Sequence, residues 1–182
     1  MTDEQLLEGV LRKESTAQRQ LYERFARKMF GVCLRYSGRT EEAEDLLQEG
    51  FIRVFKSLDQ FRGTGSLEGW IRKVIVRTAL EYLRSKRMVW TSLEAEEETS
   101  EEPTILDRIG TQELIRQIQE LPPGYRTIFN LYAIEGYSHQ EIAEMLQISE
   151  GTSKSQYARA RGQLMAAIIK LQGDPSSTLR TL

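Results

Sequence analysis

"HQEIAEMLQISEGTSKSQYARARGQL", His139–Leu164, divides at "QIS" into two short helical patterns. Ile142, Leu146 and Ile148 supply an apolar lock between them, and Ala143 is small where two helices must approach closely. In a helix-turn-helix the first helix braces across the phosphate backbone and the second lies in the major groove, so the joint must be short. Ser153, Tyr157, Ala160 and Leu164 recur at helical spacing and form the inward face of the second helix. The outward face then carries Lys154, Ser155, Ala158 and Arg159, with Thr152 ahead of them and Arg161 to one side. Cations and a hydroxyl on that face suit base edges or phosphates. Pattern alone also allows a plain helical hairpin with a solvated basic face. His139, in the first turn after Ser138, reads as a solvated or capping residue.

On either side of this pair the chain reads as helix. "LPPGY" breaks the pattern at Leu121, giving helices over 107–120, 123–134, 138–146 and 150–171, followed by a frayed tail over 173–182. Upstream, Ser15 is placed to cap a helix whose buried stripe is Ala17, Leu21, Phe25, Met29, Val32 and Tyr36, ended by "SGRT". Thr40 is placed to cap the next, with Ala43, Leu47, Phe51, Val54 and Leu58 as its core stripe. Its other face carries Glu42, Asp45, Glu49 and Ile52, an apolar residue among acids that suits a protein partner with basic groups as well as a solvated surface. After the glycine-rich "FRGTGS", Ser66 begins a long helix on which Lys73, Arg77 and Arg84 share one stripe, extended by Lys86 and Arg87. Phe61, Arg62 and Trp70 lie beside this cationic face. Charge that tracks a backbone, aromatic surface and a pliable loop together fit a separated nucleic-acid strand better than a closed duplex. Trp70 as core and the arginines as a solvated face is the competing account.

Bulk properties narrow the function further. The chain has 182 residues, 40% apolar and 29% charged, with four prolines, an ordinary soluble composition large enough for two small domains. Cys33 is the only cysteine and His139 the only histidine, which leaves no disulfide within the chain and argues against thiolate metal sites and Cys/His catalytic pairs. The charged first fourteen residues do not read as a signal peptide and no window approaches a membrane span, so a cytoplasmic location is expected. The net charge of −2 conceals segregation. Residues 1–90 carry 17 Lys/Arg against 13 Asp/Glu, 91–113 carry 1 against 8, and 114–182 carry 7 against 6. The stretch 90–106, "WTSLEAEEETSEEPTIL" with its run of glutamates, lacks apolar periodicity and reads as a linker without fixed fold. The expected fold class is therefore all-α: two small helical domains, 1–89 and 107–172, joined by an acidic flexible linker.

Taken together these motifs resemble the sigma factors of bacterial RNA polymerase, in particular the extracytoplasmic-function class of the sigma-70 family, which keeps only the second and fourth sigma regions. "AEDLLQEGFIRVF" (43–55) is similar to the D-x-x-Q-E-x-F motif of region 2, "FRGTGSLEGWIRKVIVRTALEYLRSKR" (61–87) to the loop and helix that open and read the minus-10 element, and 121–161 to region 4. The resemblance implies a subunit that directs transcription initiation, with no catalytic residues, cofactor, metal or small-molecule substrate. It implies that Asp45, Gln48, Glu49, Phe51 and Ile52 dock on core polymerase, whose beta and beta-prime subunits are the expected partners, with Phe51 assigned either to that surface or to the core. Arg62, Gly63, Thr64, Gly65 and Ser66 fall on the family loop that captures a flipped-out base, and Trp70, Lys73, Arg77 and Arg84 on the minus-10 helix. Lys154, Ser155, Ala158 and Arg159, flanked by Thr152 and Arg161, fall on the minus-35 helix. Arg77 and Glu81 stand where many members carry Asn and Asp, and Ala158 where some carry a large side chain, so the promoter sequence does not transfer. Promoter DNA and an anti-sigma factor complete the implied partners. The alternative is an independent dimeric helix-turn-helix regulator whose first half senses a signal or dimerises.

Overall fold

The computed structural model describes residues 2–85 and 111–173, and every described regular element is helical. The linker 90–106, the tail, Lys86, Arg87 and the start of the helix expected from 107 lie outside the described residues. The chain divides into two compact units, Met1–Arg87 and Met88–Leu182.

The first unit opens with α1 (Asp3–Leu11), a helix that the charged N-terminus did not suggest. Thr2 caps it in a reciprocal box: its Oγ1 accepts from the Gln5 N–H, and the Gln5 side chain accepts from the Thr2 N–H. Leu6 and Val10 are buried, and Gly9 permits a close approach, since a Cβ there would lie 2.6 Å from Ala17 Cβ. The helix ends in paired backbone bonds, Glu14 N–H to the Gly9 carbonyl and Lys13 N–H to the Val10 carbonyl, with Lys13 left-handed at φ 62°.

This turn delivers the chain into α2 (Ser15–Tyr36) with Glu14 at the capping position, so Ser15 is already helical and caps nothing. Thr40 is likewise the first residue of α3 (Thr40–Ser57), not its cap. Arg39 precedes it without a side-chain cap, and the Glu42 carboxylate reaches back to the Gly38 N–H instead. All six residues of the α2 stripe and all five of the α3 stripe are buried, the last of these, Leu58, in a short 3-10 turn (Leu58–Gln60). Ser66 caps α4 (Leu67–Ser85) by accepting from the Gly69 N–H at 3.0 Å. Helices α2, α3 and α4 pack on one another. Gly50 faces Ile75 so closely that an added Cβ would strike Ile75 Cδ1, while Ile75 Cγ1 would be an ordinary 3.5 Å away.

The second unit runs α5 (Thr111–Glu120), α6 (Pro123–Phe129), a π-helical turn (Asn130–Ile134), α7 (His139–Leu146) and α8 (Glu150–Gly173). Pro123 in the first turn of α6 lacks an N–H that would have no helical partner there. Arg126 is buried and donates to the Gln119 carbonyl at 2.6 Å, serving the end of α5. Ile118, Leu121, Phe129, Ala160 and Leu164 form one apolar cluster, so α8 is the element onto which α5 and α6 fold.

Candidate functional site

In the second unit the brace helix α7 starts from a capping box. Ser138 Oγ accepts from the Glu141 N–H, and the Glu141 carboxylate accepts from the Ser138 N–H at 2.8 Å, a bond that holds this carboxyl below its ordinary pKa. The joint to α8 turns on Gln147, left-handed at φ 57°, where glycine is the usual occupant. Ser149 then caps α8, accepting from the Thr152 N–H at 3.0 Å and bonding the Thr152 hydroxyl at 2.8 Å. Ile142 and Leu146 are buried, Ile148 is half-buried, and Ser153, Ala160 and Leu164 face inward with Tyr157 at their edge, as their spacing requires.

On the other side of α8, Lys154 and Ala158 are exposed, while Thr152, Arg159 and Arg161 are half-buried. Ser155 departs from the expected outward face. It is only 7% exposed, and its hydroxyl donates back to the Thr152 carbonyl, a common bond for a short hydroxyl side chain within a helix. Lys154 pairs with Glu150 at 2.8 Å, and this bond raises the lysine's pKa and lowers the glutamate's. Glu150 was not among the residues expected here, although its spacing of four from Lys154 is a legible signal. His139 is not a cap, and only part of it is solvated. Its Nδ1 lies 2.9 Å from Ser153 Oγ and its ring stacks on Tyr132, with centroids 4.1 Å apart. The residue is half-buried because the ring fills space between α7 and α8.

In the first unit, Gly63 and Gly65 hold φ of 72° and 86° with open space around them, so the loop needs glycine for backbone conformation and not for room. Arg62, Thr64 and Ser66 are exposed beside them. Phe61 and Trp70 are both half-buried and tilt against each other at 5.8 Å, which makes Trp70 partly core and partly surface. Lys73, Arg77 and Arg84 are exposed on α4, on the side opposite buried Ile71, Ile75, Ala79 and Leu83. Glu81 is bonded to Arg53 of α3, which also holds Glu49 at 2.9 Å. Those two carboxylates raise the pKa of the Arg53 guanidinium. Spacing within α3 shows the Glu49–Arg53 contact. The reach to Glu81 is a tertiary contact that no local pattern shows.

The exposed face of α3 carries Asp45, Gln48, Glu49 and Ile52, the last 47% exposed. Glu42, expected with them, is half-buried at the Gly38 turn. Phe51 belongs to the core: it is 2% exposed and meets Tyr22 edge-on at 4.8 Å. It sits one residue from Ile52, and 100° per residue carries the two to different faces. Burial pushes the Cys33 thiol up to about 12. Among the described residues no cluster of His, Cys, Asp or Glu is arranged to hold a metal, and no helix is long and apolar enough to cross a membrane.

Residues 21–88 match the family model for sigma-70 region 2, and residues 111–164 match that for sigma-70 region 4. The RNA polymerase sigma-H factor of Pseudomonas aeruginosa is 30% identical over 184 residues, covering 93% of this chain and 95% of that one. The ECF RNA polymerase sigma-E factor of Haemophilus influenzae is 30% identical over 175 residues, 88% of this chain and 92% of that one. Among solved structures, the sigma factor RpoE of Bartonella quintana, in complex with the anti-sigma factor NepR, shares the fold at a TM-score of 0.52 and 21% identity, covering 84% of this chain and 96% of that one.

Proposed function

The chain belongs to the extracytoplasmic-function class of the sigma-70 family and is an RNA polymerase sigma factor, and from this we propose how its surfaces divide the work. The acidic and apolar face of α3, with Asp45, Gln48, Glu49 and Ile52, docks on core polymerase, with Phe51 supporting it from beneath. The loop Arg62–Ser66 takes up an unpaired minus-10 base, while Lys73, Arg77 and Arg84 hold the backbone of the opened strand and Trp70 offers its exposed edge. Helix α8 reads minus-35 duplex through Lys154, Ala158 and Arg159, with Thr152 and Arg161 at the margin.

The observation that carries this reading is the first unit itself. A face fit for a basic protein partner and a cationic stripe fit for a strand lie on two helices, α3 and α4, packed directly on each other. One rigid body therefore couples polymerase to promoter. Opening needs no covalent chemistry, so the protein acts without catalysis. Unstacking a base costs a few kcal/mol, and stacking plus pocket contacts return about 1–3 kcal/mol per base. Region 2 is assigned to 1–89, region 4 to 107–172, and 90–106 to the acidic connection between them; the site of action is the cytoplasm, with polymerase. An anti-sigma factor is the third partner, supported by the fold shared with a sigma factor solved in such a complex. The independent dimeric regulator is not favoured, since its sensing or dimerising half would occupy the residues that match sigma region 2.

The test replaces Asp45 and Glu49 together by alanine and measures binding of the full chain to core polymerase. The expected result is a loss of roughly tenfold or more with an unchanged melting temperature. Undiminished binding reassigns this face to solvent.

A further inference from the structure

Around His139 three elements of the second unit meet. The imidazole lies flat on Tyr132, with centroids 4.1 Å apart and planes 11° apart. It meets Tyr157 edge-on at 5.7 Å and 61°, and its Nδ1 is 2.9 Å from Ser153 Oγ. Tyr132 and Tyr157 also touch, with centroids 4.5 Å apart, and Tyr157 stacks in turn on buried Phe129 at 6.0 Å. Tyr132 comes from the π-helical turn, His139 from the first position of α7, and Ser153 and Tyr157 from one face of α8. A π turn inserts one extra residue, which re-aims the side chains around it and is a recurrent device near functional sites. Here the turn is closed by the Glu135 N–H donating to the Asn130 carbonyl at 2.9 Å, and it presents Tyr132 to the imidazole.

We propose that His139 is a positioning residue for promoter reading: it pins α8 to α7 through Ser153 and Tyr157, and so fixes the angle at which Lys154 and Arg159 meet the duplex. The inference rests on the reading of α8 as the minus-35 helix. Ser153 is fully buried and directly precedes Lys154, so the pin acts at the root of the reading surface. A brace and a reading helix that share only an apolar lock can slide by a fraction of a turn. A hydrogen bond with a stacked ring selects one register, because both have angular requirements that apolar contact lacks.

The titratable groups around the ring are Tyr132 from the π turn and Tyr157, Glu150 and Lys154 from α8. Burial, then Lys154, holds the imidazole below its ordinary pKa, while Glu150 opposes them. The histidine is thus held neutral in the arrangement that pins α8. The stabilisation is complete above the ordinary value of about 6.5 and is lost as pH falls through it toward the depressed value.

The experiment uses holoenzyme assembled from the full chain and core polymerase. The probe is a pool of promoter duplexes randomised over the minus-35 block, first enriched by the wild type, with a scrambled duplex as reference. His139→Ala is expected to lower the preference for enriched over scrambled duplex roughly tenfold, while holoenzyme formation and affinity for scrambled duplex hold. His139→Phe keeps the ring and loses the nitrogen, and should recover about half of that loss on a logarithmic scale, with Ser153→Ala matching it. A merely structural role would lower specific and scrambled binding together. If His139→Ala loses both, His139→Phe decides: a partial loss of preference supports the pin, and full preference overturns it. If His139→Ala keeps full preference while Arg159→Ala loses it, positioning is overturned and the minus-35 reading stands. If Arg159→Ala keeps it too, the minus-35 reading falls and the pin with it.

Discussion

Replacing Gly50 by alanine tests how closely α3 is seated on α4. The new methyl would strike one atom, Ile75 Cδ1, while the next nearest atoms, Ile75 Cγ1 and Cα, stand at ordinary contact distances of 3.5 and 3.8 Å. Ile75 is 1% exposed, so its tip must be re-accommodated within the core. Overpacking of this kind costs about 1–3 kcal/mol, and the better helix propensity of alanine returns about 1 kcal/mol. Gly50→Ala alone should therefore destabilise the first unit by about 0–2 kcal/mol. Ile75→Val deletes the obstructing methyl and should cost about 0.5–1.5 kcal/mol alone. In that background the alanine methyl fills the space left, and Gly50→Ala should become neutral or stabilising. A favourable coupling of at least about 1 kcal/mol is therefore expected in the double-mutant cycle, well beyond the roughly 0.3–0.5 kcal/mol within which unconnected sites add. Urea denaturation followed by Trp70 fluorescence in a Trp90→Phe background reads the first unit. Additive effects would show that the Ile75 Cδ1 methyl does not obstruct the added one.

Three further outcomes follow from the geometry. Lys13→Gly should stabilise the first unit by about 0.5–1 kcal/mol, since a left-handed non-glycine residue costs about 1–2 kcal/mol and glycine's greater freedom when unfolded takes back about half; a lower melting temperature would contradict this. Phe51→Ala should cost about 3–5 kcal/mol of stability, whereas Ile52→Ala should stay within about 0.5 kcal/mol and still weaken binding to core polymerase. Equal effects on stability would place Phe51 on the surface. Ser149→Ala removes the cap of α8 and should cost about 1 kcal/mol, with weaker minus-35 binding measured on the holoenzyme; a stability within error of wild type would show that the cap is idle.

Much of the fold is legible because it obeys a period. The stripes of α2 and α3 recur every three or four residues, and each such residue is buried. Ser66 and Ser138 announce the helices they cap, and glycines mark the loop that needs positive φ. Failures cluster where the deciding contact is not local or the turn chemistry is unusual. Helix α1 hides behind its charges because Leu6 and Val10 are its only fully buried side chains, with Gly9 as a small contact, and its turn uses Lys13 where glycine would have signalled it. The same applies to Gln147 in the joint before α8. Ser15 and Thr40 look like caps by residue type, but the preceding turns set the helix start one residue earlier than a cap there would require.

The site shows the same division. Spacing finds the exposed faces of α3 and α4, yet the bridge from Glu49 through Arg53 to Glu81 depends on two helices meeting. His139 looks idle because its partners lie on other elements, Tyr132 in the π turn and Ser153 beyond the joint between α7 and α8. Ser155 shows the converse limit. Its spacing puts it outward, but a short side chain bonded to the Thr152 carbonyl one turn earlier does not reach the surface.

The most direct test of the central claim is run-off transcription by purified core polymerase on a library of bacterial genomic fragments, with and without this chain. Initiation is expected at a discrete set of sites only when the chain is present, each start preceded by a shared minus-10 and minus-35 pattern. Starts that are unchanged by its addition, together with no binding to core polymerase, would contradict the central claim.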